Sequence, residues 1–286
     1  MGNVDTAEIQ KRVDSFERWH YKFDLDGIAT PISDKTRINR HEQRKRYLFD
    51  SLLATFGGSL AGKRVLDLGS NAGFWSLTAI ESGCDAVLGI DGRQMHTDQA
   101  NLVFEVKGVD ESRYQFITGD IFKSDLRSFG RFDVVLCLGL LYHVSKHINL
   151  LEKISELNDD VMLIDTTLST SVGSKLVMRR ERLDSPRDAV DYELAMTPTK
   201  KAIEDMVSLF GYDVVMLRPR FSDYTGCRDY REGRRRAFLC AKTTRLQDTN
   251  LETEPIRARP GLRDLAGGTG SFSRRMVRTA RRRLRA

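Results

Sequence analysis

Four apolar segments of the chain each run out into a residue able to do chemistry. Val65-Leu66-Asp67-Leu68 breaks at Gly69-Ser70-Asn71-Ala72-Gly73 and resumes at Phe74-Trp75; Ala86 to Ile90 ends in Asp91; Tyr114 to Thr118 leads to Asp120-Ile121; and Phe132 to Leu138 runs into Tyr142-His143. Parallel strands set their carboxyl ends along one crevice, so three carboxylates and an imidazole are expected on a single edge. Asp91, 24 residues after Asp67, is placed to accept from two ribose hydroxyls. Asp120 is placed to accept from an adenine amino group, with Ile121 along the ring. Aspartates also close strands for turn chemistry alone, and for each acid that reading stays open.

Gly69 and Gly73 permit positive φ and let a ligand approach bare backbone. A dinucleotide turn wants G-x-G-x-x-G so that a pyrophosphate sits on the helix N-terminus, whereas here Asn71 and Phe74 hold the third and sixth places. The loop therefore reads as a nucleoside site without a phosphate.

These residues need an alternating scaffold, and the chain supplies one. Helices are expected over residues 8–19, 39–56, 74–82, 94–107, 148–157 and 200–210, with further strands at 161–165, 212–217 and 236–241. The result is an α/β, Rossmann-like fold with a seven-stranded, mostly parallel sheet and helices on both faces. Residues 1–56 form an N-terminal helical lid, 57–245 the catalytic domain, and 246–286 a flexible linker and Arg-rich tail. Arg40, Arg44, Lys45 and Arg46 read as a solvated helix face. The insertion at 166–199, with Arg179, Arg180, Arg182, Tyr192 and Met196, is either a substrate-facing element or a solvated loop.

The net charge is +6 and the isoelectric point about 9.2, but the charge is concentrated at one end. Residues 252–286 carry ten arginines against three acids, +7, which leaves the remaining body at −1. A broad nucleic-acid footprint over the body is therefore not expected. Cys84, Cys137, Cys227 and Cys240 form no C-x-x-C pair, which points to free thiols in a reducing cytoplasm and to no metal. The longest apolar stretch, Val134 to Leu141, is far short of the ~20 residues that span a bilayer, so a soluble protein without a transmembrane segment is expected.

Asp67-x-Gly69-x-x-x-Gly73, the Trp19 to Gly27 lead-in and Leu138-Gly139-Leu140-Leu141-Tyr142-His143 together resemble class I S-adenosylmethionine (SAM)-dependent methyltransferases. More narrowly, they resemble the group that includes the tRNA wobble-uridine methyl- and carboxymethyltransferases. The resemblance spans roughly residues 19–242. It implies SAM held by Asp67, Gly69, Asn71, Gly73, Asp91, Asp120, Ile121 and Leu138. Members that use carboxy-SAM hold its extra carboxylate with a lysine, a tyrosine and an arginine, and Lys22, Tyr142 and Arg236 fall at matching places. The glycine loop is not the Gly-Cys-Gly-Ser-Gly of that group, and Gly92-Arg93 replaces its Pro-Thr pair, so ordinary SAM is the leading expectation.

For the acceptor, a hydroxyl of a small molecule or glycan leads. A tRNA wobble uridine is the alternative, and a noncatalytic RNA- or membrane-surface adaptor is the reading of another class. For a hydroxyl, His143 is the candidate base, with Tyr142 beside it and His147 and Asp165 behind it; His143 as a structural cap is the competing role. The tail, Arg274 to Arg285, either solubilises the chain or meets nucleic acid or an anionic membrane.

Overall fold

Short aliphatic runs closed by glycine or aspartate make the strands, and amphipathic stretches between them make the helices. The computed structural model describes residues 6–182 and 194–256. In chain order these contain α1 (Thr6–Asp14), β1 (Asp24–Leu25), β2 (Ile28–Ala29), α2 (Lys35–Thr55), β3 (Arg64–Leu68), α3 (Phe74–Glu81), β4 (Ala86–Asp91), α4 (Gln94–Val106), β5 (Tyr114–Thr118), β6 (Phe132–Leu138), α5 (His147–Leu157), β7 (Asn158–Thr167), β8 (Leu176–Arg180), β9 (Leu194–Pro198), α6 (Lys200–Ser208), β10 (Asp213–Leu217), α7 (Arg228–Arg231), β11 (Arg235–Ala241) and β12 (Thr253–Glu254). Tyr192 and the basic tail from Arg274 to Arg285 lie outside the described residues.

The sheet runs β12-β10-β11-β7-β6-β3-β4-β5. β5, β4, β3, β6 and β7 pair in parallel, while β11 joins β7 antiparallel and β10 joins β11 the same way. The chain order reverses between β3 and β6, the kind of switch point where open α/β sheets bind ligands. Side chains alternate across the sheet. On β3, Val65 packs with the residues of α2, α3 and α4 on one face, and Leu66 and Leu68 pack with those of α5 and α6 on the other.

The sheet has one strand more than the seven expected. Thr253 and Glu254 pair antiparallel with Leu217 and Met216, covering what would be a bare edge. Glu254 also forms an ion pair with Arg236 at 2.8 Å, and Leu246 is buried. The compact unit therefore reaches Ile256, and residues 246–256 are not the flexible linker that their composition suggests.

The N-terminal helices differ from expectation for local reasons. Asp34 caps α2 by accepting from the backbone N–H groups of Thr36 at 2.9 Å and Arg37 at 3.3 Å, so the helix begins at Lys35, before 39. α1 ends at Asp14, and Trp19 instead turns into the core, its Nε1 donating to the Val13 carbonyl at 3.1 Å. Tyr21 stacks on Phe74 at 4.5 Å between ring centroids. Trp19, Tyr21 and Phe23 are thus built into the core of the unit.

Candidate active site

A cavity of about 1100 Å³ opens at the carboxyl ends of β3, β4 and β6, with α2 and the β8–β9 hairpin contributing to its wall. The loop after β3 is shaped by its backbone. Gly69 and Gly73 lie at φ +72° and +75°, and Asn71 takes φ +49°, a left-handed geometry that asparagine tolerates better than most residues. Asn71 thus supplies the turn that a glycine supplies in a dinucleotide motif.

Asp91 anchors that loop. Its Oδ2 accepts from the Asn71 N–H at 2.9 Å, its Oδ1 accepts from the Arg93 N–H at 3.0 Å, and His96 Nδ1 lies 2.9 Å from the same Oδ1. Gly69, Asn71, Asp91, Asp120, Ile121 and Leu138 all line the cavity. Asp120 also does turn work, accepting from the Phe122 N–H at 2.8 Å and pairing with Lys123 at 3.0 Å.

Two expected cofactor residues do not reach the cavity wall. Gly73 faces inward, where an added Cβ would meet Phe104 at 3.1 Å, Ala100 at 3.2 Å and Phe116 at 3.2 Å. Its small size serves packing under the loop. Asp67 is buried, its Oδ2 accepting from Ser76 Oγ at 2.7 Å and its Oδ1 finding no partner. Burial pushes its carboxyl up to about 7, the Ser76 hydroxyl opposing.

At the end of β6 a single helical turn, Leu141–His143, presents Tyr142 and His143 to the cavity. Its first residue is buried, and the Leu141 carbonyl accepts from His147 Nε2 at 2.7 Å. His147 thereby holds the turn from below and does not stand behind His143; its own burial lowers its pKa. The partner of His143 is Glu181, whose Oε2 lies 2.8 Å from Nδ1. Glu181 is only 3% exposed in its side chain, and Arg179 pairs with its other oxygen. The β8–β9 hairpin brings this carboxylate in, docking on the turn through the Met196 N–H to the Val144 carbonyl at 3.3 Å.

Asp165, expected behind His143, serves a different centre. It is fully buried at the end of β7, its Oδ2 accepting from Arg44 Nη2 at 2.5 Å and from Arg235 at 3.0 and 2.8 Å, and its Oδ1 from Tyr230 Oη at 2.8 Å. Burial alone would raise its carboxyl, but the charges of Arg235 and Arg44 overcome this and hold it well below the usual carboxylate range. It is an anchor for two arginines and has no capacity left for an acceptor proton. Arg44, read from sequence as part of a solvated face, is 5% exposed.

The expected set for an extra cofactor carboxylate is not assembled. Lys22 is exposed and does not line the cavity, and Arg236 is turned away into its pair with Glu254. Arg235 is the arginine that lines the cavity, its guanidinium 5.1 Å from the Tyr142 ring. Adjacent strand residues face opposite sides of the sheet, so a one-residue difference decides which arginine is available.

Residues 40–217 match the family model of a methyltransferase domain. The chain belongs to the methyltransferase-domain family. This methyltransferase is 34% identical over 146 residues to the ubiquinone biosynthesis O-methyltransferase of Pseudomonas entomophila (strain L48), a match covering 50% of this chain and 54% of that protein. It spans about half the length of the curated relatives it matches. Among solved structures, the N-terminal domain of EvdMO1 with S-adenosylhomocysteine (SAH) bound superposes with a TM-score of 0.64 at 22% identity, covering 86% of this chain and 100% of that one. Magnesium protoporphyrin IX methyltransferase from Synechocystis PCC 6803 with bound SAM gives a TM-score of 0.53 at 15% identity, covering 85% and 100% respectively. These likenesses support the α/β, Rossmann-like fold expected from the strand pattern.

The described residues contain no group of three or more His, Cys, Asp or Glu side chains arranged to hold a metal, and no helix long and apolar enough to cross a membrane. The four cysteines are buried and free, and burial pushes the thiols of Cys84 and Cys137 up to about 12. Glu181 and Arg235 were the functional candidates that sequence reasoning passed over. Glu181 stands between Arg180 and Arg182 in the insertion whose sequence reads equally as a substrate-facing element or a solvated loop.

Proposed function

We propose that this protein transfers a methyl group from SAM to a hydroxyl of a small molecule, with His143 taking the acceptor proton. The observation that carries the reading is the His143–Glu181 pair on the cavity wall. With Nδ1 engaged by a buried carboxylate, Nε2 is the ring nitrogen left for the acceptor, and the carboxylate stabilises the positive charge that develops on the imidazole.

The cavity residues fit the cofactor. Asp91 has the carboxylate chemistry for a ribose diol, and Ile121 and Leu138 offer apolar surface for adenine. Gly69 leaves bare backbone where a Cβ would meet Leu140 at 3.4 Å. Bound there, SAM supplies an electrophilic methyl carbon on a sulfonium. The protein's own part is to align the acceptor oxygen, exclude water and remove one proton. The ubiquinone biosynthesis O-methyltransferases among its relatives favour a hydroxyl acceptor over a tRNA wobble uridine.

Labelled-methyl transfer from SAM, with and without ribonuclease, tests the acceptor class, and His143→Ala tests the base. The variant should bind SAH normally while single-turnover transfer falls by ~10²–10⁴-fold. Near-normal transfer at saturating acceptor would remove His143 from the chemistry, and loss of SAH binding in step with activity would make it a structural residue.

A further inference from the structure

The cavity wall has a charge that methyl transfer to a neutral alcohol does not require. Nine lysines and arginines line it against three aspartates, although the body of the chain outside the tail is near neutral. Four of the lining side chains come from one face of α2. Arg37, Arg40, His41 and Arg44 stand at i, i+3, i+4 and i+7, which stacks them along one side of the helix.

These groups are not equally committed. Arg40 is locked bidentately to Asp229, both bonds at 2.7 Å. Arg44 shares Asp165 with Arg235, so two buried cations answer to one carboxylate. Among the described residues Arg37 has one distant ion pair, 4.0 Å from Asp34, whose other oxygen is occupied in capping the helix. Beside it, His41 is 4% exposed and its Nδ1 has no hydrogen-bond partner. Burial, aided by His20 and Arg44, lowers its pKa to about 2, so the ring is neutral at any working pH. A buried orphan nitrogen beside a weakly engaged arginine is the kind of vacancy that a ligand fills.

We infer that the acceptor carries an anionic group, a phosphate or a carboxylate, that docks on the cavity face of α2 at Arg37 and His41. The planar guanidinium matches both anions in a forked geometry, and the neutral imidazole donates from Nδ1 in the appropriate tautomer. The inference rests on the proposed methyl transfer to a hydroxyl, and it adds what the rest of that acceptor looks like. The doubly occupied Asp165 centre lies nearer Gly139, where an added Cβ would be 3.5 Å from Arg235 and 4.0 Å from Arg44. That centre is a separate candidate for the carboxylate of the cofactor itself.

Calorimetry on the SAH-saturated protein keeps the two apart. Inorganic phosphate and acetate are titrated separately into wild type, Arg37→Gln and Arg37→Lys. At least one anion should bind the SAH-loaded wild type, bind about tenfold more weakly to Arg37→Gln and recover in Arg37→Lys, with SAH affinity the same in all three. The arm that responds identifies phosphate or carboxylate. In turnover, glucose 6-phosphate is compared with glucose, and 3,4-dihydroxybenzoate with catechol; the charged member of the responsive pair should have the lower KM, and Arg37→Gln should erase the difference without changing kcat. Absence of binding by both anions, or competition between the responsive anion and SAH, overturns the inference while leaving the methyltransferase reading intact. Failure of wild type to bind SAH overturns that reading instead.

Discussion

Asp165 and Glu181 are both buried carboxylates paired with arginine close to the same cavity, yet they do opposite things. Asp165 is enclosed by Arg44, Arg235 and Tyr230, and both its oxygens are engaged by buried donors. Glu181 is held by Arg179 on one oxygen and turns the other to a histidine that lines the cavity. Burial and charge pairing are common to both, so neither marks a catalytic group. The distinguishing feature is whether the partner on the cavity wall is able to take up a proton. His143 lines the cavity with Nε2 left over and has that capacity, whereas Arg44 and Arg235, which line it too, are permanent cations.

The comparison is broken most severely at its closed member. Asp165→Asn removes the carboxylate shared by two buried guanidinium groups, and such a deletion costs about 3–5 kcal/mol because the remaining charges stay buried without compensation. Urea denaturation should show this as a large fall in midpoint, with His143 chemistry affected only through loss of folded protein. A full-strength midpoint combined with lost turnover would reverse the assignment and make Asp165 the working carboxylate.

Glu181→Gln tests the open member with a smaller effect. The amide oxygen still accepts from His143 Nδ1, so ring orientation survives while the charge that favours the imidazolium is gone. Exchanging a charge-assisted hydrogen bond for a neutral one is worth about 1–1.5 kcal/mol, which corresponds to roughly 5- to 10-fold in kcat. Stopped-time methyl transfer at saturating SAM measures it, and SAH binding should not move. An unchanged kcat would reduce Glu181 to a hairpin anchor.

The two halves of the proposed site, nucleoside and acceptor, differ in how far the sequence reveals them. The nucleoside half lies at strand ends, and strand ends are local: Asp91, Asp120 and Ile121 follow apolar runs whose type and order are legible residue by residue. The sheet is legible for the same reason, except β12, whose two residues are held by pairing with β10 and by Arg236 and carry no pattern of their own. The acceptor half is tertiary. Arg44 arrives from a helix 121 residues before Asp165, and Glu181 arrives on a hairpin 38 residues after His143. No short motif connects either pair. Arg235 and Arg236 show the finer limit, since facing the cavity depends on strand register and both residues are arginine.

A third buried carboxylate sharpens the comparison with the smallest effect. Among the described residues Asp67 has no cation partner: Ser76 Oγ bonds its Oδ2 and its Oδ1 has no hydrogen bond. Burial raises its carboxyl from 3.8 to about 7. A raised acid contributes stability that is fully present below the unfolded value of 3.8 and is lost as pH rises through about 7, because the unfolded chain releases its proton first. Asp165, with its depressed value, has the opposite sign and loses its contribution only in strong acid. Asp67→Asn keeps the shape and cannot ionise. The stability of Asp67→Asn relative to wild type should therefore increase by about 1 kcal/mol between pH 5 and pH 6 and level off above pH 7. Paired urea melts at each pH isolate this difference from every other titrating group. If the difference stays flat across that window, Asp67 is ionised in the folded protein, and a cation must reach the oxygen that now stands alone.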